Sequence, residues 1–359
     1  MTANLALIER AAEHLIAHSY ECWSYGDSIG FEALLAASDV TGDPRYAAFA
    51  HGYFRAWATR AAPYRELDNT APGLAIVEVA ERTGDGRLLE AAIRLAEFLA
   101  SRRVVRGAYV AWERTPLRHP VGPSQLPPDE AALLTDPGAG IFVDCMHFDP
   151  PFFTALGRVS GNARYSDIGI TQARGLIALL QNTTTGIFDH FWLEKTERSY
   201  VPGWGRGQGW ALLGLLDVLE QVGPDRREEL QDLSDAARSL AEAMLNLQRP
   251  DGHWYAVAQD PESGEEASTA AFMATGFRRG CHLGLLDDRF EEAEQRARAA
   301  ACDSTSEDGI LTGVSAAVWA CTFPLHYAHV PRGFLVPWGQ GPLVLALAGA
   351  REVAGEAPE

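Results

Sequence analysis

The stretch Val40-Thr41-Gly42-Asp43-Pro44-Arg45-Tyr46 recurs along the chain and decides its fold. Close copies lie at 82–88 and 159–165, a looser copy lies at 222–226, and a variant lies at 286–290. Glycine ends one helix in a left-handed cap, and the Asp or Asn that follows caps the next helix. Each copy therefore predicts the tight turn of a hairpin of two antiparallel helices.

Two kinds of helix flank these turns. Some runs have apolar residues at three- and four-residue spacing with charges between them, which is typical of half-exposed helices; they are 47–60, 88–101, 165–180 and 227–245. Other runs are apolar all round, which is typical of buried helices; they are 31–37, 73–79, 152–156, 211–219 and 270–277. Each hairpin is therefore predicted to pair an inner helix with an outer one.

About six such pairs fit the 359 residues when the first and last helices are counted. Six hairpins that close into a ring form an (α/α)6 barrel, so the sequence predicts an all-α fold. The long connections are then expected to gather at one end and build a site there; they are 115–140, 182–207, 250–266 and the segment from 304 onward, with short strand ribbons at 106–112 and 253–258. We find no internal boundary and predict a single domain over residues 1–359.

Composition limits the class of protein. The chain is 47% hydrophobic, which is enough for a large core, and its formal net charge is −18. That charge argues against partners such as nucleic acid or anionic membrane surfaces. A small anionic substrate is still possible, because a local cluster of Arg and His outweighs the global field over a Debye length.

The cysteines and the first residues predict a compartment. The five cysteines are scattered and form no CxxC pair, which favours reduced thiols. The first ten residues lack the basic region and apolar run of a secretory signal. No segment approaches the roughly 18 apolar residues of a membrane span. We therefore expect a cytoplasmic protein, with a homodimer as one possible state.

The segment 201–210 reads Val-Pro-Gly-Trp-Gly-Arg-Gly-Gln-Gly-Trp and directly precedes an apolar helix. Glycine lets backbone approach a ligand closely, and Trp204 and Trp210 offer flat stacking surfaces. Arg206 is a forked cation suited to carboxylates, with Gln208 beside it. The segment predicts a polar, aromatic rim at the N-terminal end of a buried helix, suited to a sugar and especially to an acidic one.

Two carboxylates are candidate catalytic groups. Asp144 lies in the apolar run that begins at Gly140, and burial raises the pKa of a carboxyl toward the range of a general acid. The alternative is an acid that caps a helix or forms a salt bridge. Asp68 precedes another inner helix, where it is either a capping residue or the second carboxylate of a glycosidase pair.

Further side chains could bind substrate. His190 is flanked by aromatic residues and is either a core histidine or a hydrogen-bond partner of a sugar hydroxyl. Trp23 and Tyr25 precede a helix start and either stack on a sugar or pack in the core. No metal site is predicted, because the histidines lack ligand spacing apart from the loose pair His147 and Asp149. No nucleotide-binding motif follows a strand.

Taken in order, these motifs resemble the unsaturated uronyl hydrolases of glycoside hydrolase families 88 and 105. The matching pieces are Leu-Asp68-Asn-x-x-Pro-Gly, Phe-Val-Asp144-Cys-Met, Gly186-Ile-Phe-x-His190-x-Trp192, Trp204-Gly-Arg206-Gly-x-Gly-Trp210, Gln248-x-x-Asp251-Gly252-x-Trp254, Glu266-Ala-Ser268-Thr269-Ala-x-Phe272 and Gly339-Gln-Gly341-Pro342-Leu343.

The resemblance implies a fold and a reaction. It implies an (α/α)6 barrel that acts on oligosaccharides left by polysaccharide lyases, which carry a C4=C5 double bond in a terminal uronic acid. By this resemblance Asp144 would protonate C4 and activate the water that adds at C5, and Asp68 would assist. His190, Trp204, Arg206 and Trp210 would line the subsite. The resemblance implies neither a metal nor another cofactor.

The chain departs from the family pattern after the acid. His147, Asp149 and two prolines follow Asp144, so His147 and Asp149 are candidates for altered specificity, or else they cap the helix start. These departures leave hydrolysis of saturated uronides open. A sugar epimerase and a non-catalytic sugar-binding barrel are further alternatives. Epimerases on this barrel use paired histidines, whereas the strongest polar positions here are carboxylates.

Overall fold

The computed structural model describes residues 3–20, 23–24, 26–60, 63–121 and 127–349. The helices are α1 (Ala3–Ala17), α2 (Asp27–Thr41), α3 (Pro44–Ala58), α4 (Gly73–Thr83), α5 (Gly86–Ala100), α6 (Pro128–Thr135), α7 (Cys145–Ser160), α8 (Ala163–Leu180), α9 (Gly205–Gln221), α10 (Gly223–Arg227), α11 (Gln231–Asn246), α12 (Ala267–His282), α13 (Arg289–Asp303), α14 (His326–His329) and α15 (Pro337–Ala348). Short 3₁₀ turns occupy Glu66–Thr70 and Glu228–Leu230.

Six helices form a closed inner ring. They are α2, α4, α7, α9, α12 and α15; each packs against the next, and α15 packs against α2. The outer helices α3, α5, α8, α11 and α13 each pack against the inner helix that precedes them, and α1 packs against α15. The fold is therefore the (α/α)6 barrel that the recurring turn sequence predicted.

The two rings differ in burial as their sequences predicted. The inner helix α9 is buried from Gly205 to Leu219. The outer helix α5 buries Leu88, Ala92, Leu95 and Leu99 at helical spacing and leaves charged residues outside. A helix with a single apolar stripe thus lies in the outer ring, and a helix that is apolar on all sides lies in the inner ring.

The recurring turns have the predicted geometry in the three closest copies. Gly42, Gly84 and Gly161 have φ values of 75°, 66° and 70°, the left-handed conformation that favours glycine. The following side chains accept backbone N–H groups and cap the next helix; these are Asp43 from Arg45, Asp85 from Arg87 and Leu88, and Asn162 from Arg164. The looser copy at Gly223 instead opens the short helix α10 before α11 begins.

Short strands cover part of the barrel. The predicted ribbons appear as β1 (Val104–Val105) with β2 (Ala108–Tyr109), and as β6 (Tyr255–Val257) with β7 (Asp260–Glu265). A third, antiparallel sheet, absent from the sequence prediction, joins β3 (Gly140–Phe142), β4 (Asp189–Leu193) and β5 (Arg198–Pro202) in that order. It pairs Phe142 with Phe191 and leads directly into α7.

Two further features concern the whole described chain. No helix among the described residues is long and apolar enough to cross a bilayer. Cysteines 145, 281, 302 and 321 carry free thiols; Cys22 lies outside the described residues.

The turn between α4 and α5 offers a matched pair of glycine substitutions. A Cβ added at Gly84 or at Gly86 would meet nothing within 4 Å, but only Gly84 has a positive φ. We expect Gly84→Ala to lower the free energy of unfolding by about 1 kcal/mol, because an L residue is strained there. Gly86→Ala is expected to leave it unchanged or raise it by up to about 1 kcal/mol. Urea denaturation measures both; equal effects would contradict the left-handed cap.

Candidate active site

One pocket opens where α7, α9 and α15 begin, and it encloses about 500 Å³, part of it open to solvent. Its walls combine an acid, a histidine, an arginine and four tryptophans with small apolar residues; the full set is Pro116, Phe142, Asp144, His190, Trp204, Arg206, Trp210, Ala317, Val318, Trp319, Ala320 and Trp338. The pocket brings together five of the residues predicted from sequence.

The three-stranded sheet sets Asp144 beside His190. Strand β3 ends at Phe142, and the Val143 N–H then donates to the His190 carbonyl at 2.9 Å. Asp144 follows immediately, at the residue before α7. Its Oδ2 lies 3.7 Å from Nε2 of His190. The acid and the histidine are therefore neighbours through backbone pairing between segments about fifty residues apart in the chain.

Asp144 is a buried carboxyl group with little compensation. Its exposure is 3%, its side chain caps no helix, and Oδ2 has no hydrogen-bond partner among the described residues. Burial raises the pKa of Asp144 to about 7, although its own backbone N–H, Arg206 and His147 favour the ionised form. The capping alternative is thus not realised, and the carboxyl is poised to hold and release a proton near neutral pH.

His190 is held as a neutral imidazole. Burial lowers the pKa of His190 well below its usual value, and the charge of Arg206 lowers it further. The Tyr327 hydroxyl bonds to Nδ1 of His190, while the Cys321 backbone N–H is directed at the phenol oxygen. Burial raises the pKa of Tyr327 well above its usual range, so the phenol keeps its proton while it shares a hydrogen bond with Nδ1. The other ring nitrogen of His190, Nε2, faces Asp144.

Arg206 lies in the pocket wall with its charge already paired. Its Nη1 donates to Glu266 Oε1 at 3.0 Å and to the Ser315 hydroxyl at 2.9 Å. The guanidinium lies over the rings of Trp204, at 5.1 Å, and Trp338, at 5.8 Å. Burial lowers the pKa of Arg206, and Glu266 opposes that shift. Glu266 and Ser315 therefore fix the position of the Arg206 side chain without a substrate carboxylate.

The family of the chain follows from comparisons with known proteins. The model of Glycosyl Hydrolase Family 88 matches residues 6–353. The chain belongs to glycosyl hydrolase family 88. It is therefore a glycoside hydrolase, and the resemblance read from its motifs is confirmed.

Individual relatives agree with this assignment. This family 88 hydrolase is 25% identical over 332 residues to the unsaturated rhamnogalacturonyl hydrolase YesR of Bacillus subtilis, a match that covers 91% of this chain and 89% of the relative. Among solved structures, a possible GH105 member from Salmonella enterica superposes with a TM-score of 0.83 at 18% identity, covering 97% and 93% of the two chains. The unsaturated glucuronyl hydrolase of Bacillus sp. GL1 superposes with a TM-score of 0.69 at 19% identity, covering 95% and 94%.

Two predicted tryptophans line the pocket of this family 88 hydrolase. The Trp204 ring centroid lies 4.3 Å from that of His190, so this indole forms the wall beside the histidine. Trp210 packs edge-on against Phe272 at 4.7 Å and lies 5.0 Å from His147. Both indoles are thus held by rigid neighbours, as a stacking surface for a sugar requires.

Other predicted binding residues lie behind the pocket wall. Gln208 is fully buried and binds backbone instead: its Oε1 accepts the Phe188 N–H, and its Nε2 donates to the carbonyls of Phe188 and Trp204. Trp23 packs in an aromatic cluster with Phe31, Phe54 and Trp57. Tyr25 lies outside the described residues. Gln208 therefore ties α9 to the start of β4, and Trp23 takes the core alternative.

His147 lies below the pocket, within α7. Its Nε2 is 3.3 Å from Glu32 on α2, and its Nδ1 is 3.5 Å from Asp217 on α9. Burial opposes a charge on this imidazole, but the two carboxylates outweigh burial and raise the pKa of His147 to about 10. Asp217 also pairs with Arg279 at 2.5 Å. The imidazolium therefore links three inner helices by charge, under the ring of Trp210.

Asp149 and Asp68 are each held by an arginine and are not among the residues that line the pocket. Asp149 Oδ2 accepts from Arg102 at 2.6 Å. Asp68 lies in the 3₁₀ turn before α4, where its Oδ1 accepts from Arg60 at 2.7 Å and its Oδ2 accepts the Arg65 N–H. Of the two carboxylates expected from the sequence, Asp144 therefore lines the pocket, and Asp68 is paired with Arg60. The role of Asp68 as a residue that assists Asp144 stays a prediction.

The pocket also contains residues that sequence reasoning missed. Trp319 and Trp338 line it, and Tyr327 lies behind it as the partner of His190; all three come from the last sixty residues of the chain, where the predicted loop carries no spacing that marks a site. Glu266 belongs to one of the quoted motifs, but the motif does not indicate that this buried carboxylate pairs with Arg206. Among the described residues, no three His, Cys, Asp or Glu side chains are grouped as a metal site.

The His147 network predicts a pH-dependent stability difference. A histidine whose native pKa is raised contributes stability that is complete below its unfolded pKa of about 6.5 and is lost as the pH rises through about 10. We expect His147→Gln to lower the free energy of unfolding by about 3 kcal/mol at pH 6. The gap to the unsubstituted protein should narrow toward pH 10, as urea titrations at each pH would show.

His119→Gln is the matched control, because His119 is exposed. It is expected to leave the free energy of unfolding unchanged across this range. A gap between His147→Gln and the unsubstituted protein that stays constant from pH 6 to pH 10 would contradict a charged His147.

Proposed function

We propose that this hydrolase removes a terminal 4,5-unsaturated uronic acid from an oligosaccharide by adding water across the C4=C5 double bond. The observation that carries the proposal is Asp144, a pocket carboxyl whose Oδ2 has no hydrogen-bond partner in the described part of the chain and whose pKa burial raises to about 7. An enol ether reacts first with a proton, so it needs one neutral acid at its carbon. The name of the Bacillus subtilis relative, an unsaturated rhamnogalacturonyl hydrolase, supports the same substrate class.

The proposed reaction uses one residue twice. Asp144 donates its proton to C4, the double bond is consumed, and C5 becomes an oxocarbenium ion that the new carboxylate stabilises. Water then attacks C5 and returns a proton to Asp144, which gives a hemiketal. When the hemiketal opens, the ring C5–O bond breaks and C5 becomes a ketone. C1, now a hemiacetal, loses the neighbouring sugar as its alcohol, so one water is consumed and no redox change occurs.

The surrounding side chains fit this chemistry. His190 stays neutral and turns its Nε2 toward Asp144, so it offers a hydrogen bond to the substrate without competing for the acidic proton. Trp204 and Trp210 provide faces for a sugar ring. Arg206 orients the uronate from the wall while Glu266 limits its net charge. Asp68 is proposed to assist from its position before α4, and residues 1–359 to act as one domain.

Substitution of the two predicted carboxylates separates the contributions of Asp144 and Asp68 to catalysis. Asp144→Asn is expected to lower kcat by at least about a thousandfold, because the amide is far too weak an acid to protonate C4. Loss of the ultraviolet absorbance of the conjugated double bond in a lyase-generated disaccharide measures it. Asp68→Asn is expected to lower kcat/KM by a smaller factor, since Asp68 is paired with Arg60.

A folding control accompanies the Asp144→Asn variant. Removing an ionisable group that is buried without a partner relieves a desolvation cost, so the variant should be at least as stable as the unsubstituted protein. An Asp144→Asn protein that folds and retains full activity on pectin, glycosaminoglycan and ulvan fragments would overturn the proposal.

The pH profile tests the state of the acid. Because the reactive form of Asp144 is protonated, kcat/KM should fall as the pH rises through about 7. The substrate carboxyl is ionised throughout this range, so it does not cause the fall. Rates of double-bond loss from pH 5 to pH 9 would show it, and a profile that stays flat to pH 9 would exclude Asp144 as the general acid.

A further inference from the structure

We propose that Trp319 and Arg118 form a second sugar subsite at the mouth of the pocket, which favours a leaving sugar that carries an anionic group. The group is a carboxylate or a sulfate ester on the residue next to the uronic acid. This inference rests on the proposed function, since it names the part of the substrate on the other side of the bond that breaks.

The position of Trp319 separates it from the other indoles of the pocket. Trp204 and Trp210 are 4% and 2% exposed, whereas Trp319 lines the same pocket and is 39% exposed. A terminal uronic acid that reaches Asp144 occupies the deep end, because the chain ends there. The next sugar must therefore lie toward the opening, where Trp319 presents an indole to solvent.

Arg118 gives this mouth a charge. Its guanidinium lies over the Trp319 ring, 4.9 Å from the centroid, and it is exposed. It forms no ion pair with a carboxylate among the described residues. By contrast, the exposed arginines Arg103, Arg158 and Arg289 are each paired with acids. An exposed guanidinium that lacks a carboxylate partner, in a chain of net charge −18, is available to an anion from outside.

The surrounding backbone holds the stacked pair in place. The Arg118 N–H donates to the Ala320 carbonyl at 2.9 Å, and the Val121 N–H donates to Nδ1 of His326 at 3.0 Å. Thr322 donates to Glu130 at 2.6 Å, so this carboxylate has a partner other than Arg118. Two segments about two hundred residues apart in the chain are thus tied together, and a fixed platform loses little entropy on binding.

The chemistry of the pair selects the ligand class. An indole stacks on the apolar face of a pyranose whatever its charge, whereas a guanidinium binds the oxygens of a carboxylate or sulfate through two parallel hydrogen bonds. We therefore assign affinity for the leaving sugar to Trp319 and discrimination between anionic and neutral sugars to Arg118.

The test compares substrates that undergo the same reaction and differ only in the leaving group. The substrates are unsaturated uronides linked to a neutral sugar, to the same sugar with a sulfate ester, and to a uronic acid, with the methyl uronide as a substrate that has no second sugar. The unsubstituted enzyme should show higher kcat/KM on both anionic disaccharides than on the neutral one. Arg118→Gln should lower that ratio about fivefold, and added salt should lower it in the unsubstituted enzyme. Trp319→Ala should lower kcat/KM about tenfold on all three disaccharides.

Arg198→Gln is the matched control, because Arg198 is also exposed and lies over a tyrosine ring, that of Tyr200, but does not line the pocket. It should leave the anionic-to-neutral ratio unchanged. If the unsubstituted enzyme cleaves none of the four substrates, the proposed function fails. If it cleaves them with the same anionic-to-neutral ratio as Arg118→Gln, the function stands and the subsite is overturned. A preference for sulfate alone, or for carboxylate alone, that Arg118→Gln abolishes supports the subsite and identifies its source.

Discussion

The site depends on one buried carboxyl group, Asp144, whose Oδ2 has no hydrogen-bond partner within residues 3–20, 23–24, 26–60, 63–121 and 127–349. An ionised carboxylate in such surroundings costs several kcal/mol, so the group lowers that cost by holding its proton near neutral pH. Among the charged groups, Arg206 favours ionisation of Asp144 most, followed by His147. Glu266 accepts from Arg206 and offsets its charge, and the hydroxyl of Ser268 donates to the second oxygen of Glu266 at 2.6 Å. Burial therefore sets the acidity of Asp144, and the charge of Arg206, which is paired with Glu266, moderates it.

Other buried charges of the barrel show how unusual this carboxyl is. His147 lies between Glu32 and Asp217, and Asp149 is paired with Arg102. These pairs hold inner helices together at fixed register, since a buried charge without its partner is costly. Asp144 starts the same helix, three residues before His147, yet its nearest basic neighbour is a neutral imidazole at 3.7 Å. The proposed acid thus occupies the position at the start of α7 that has no paired counter-ion. The paired residues further along keep that helix in place.

Local patterns predicted the barrel and the deep half of the site, and long-range contacts explain what they missed. Glycine caps such as Gly42 and apolar periodicity act within a few residues, so six hairpins were predictable. Asp144 was predictable because an acid in an apolar run is a local anomaly. Tyr327 reaches His190 across 137 residues, and no spacing near it signals that contact. Gln208 and Arg206 belong to one motif, but their side chains point to different places. The side chain of Arg206 lines the pocket, while that of Gln208 binds the backbone of Phe188. Sequence spacing alone does not assign those directions, nor the Arg60 partner of Asp68.

The balance of charge in the pocket also follows from the substrate class proposed for it. A uronate brings a negative charge close to Asp144, and a like charge raises the pKa of a carboxyl further. Substrate binding therefore strengthens the protonated form that the first step requires. An Arg206 free of Glu266 would bind the uronate more tightly, but it would also draw the proton off Asp144 and weaken the acid. Pairing Arg206 inside the protein gives up ground-state attraction and keeps the proton where it reacts, which favours turnover over binding. Attraction for anions is better placed at the rim, where Arg118 lies over the exposed ring of Trp319.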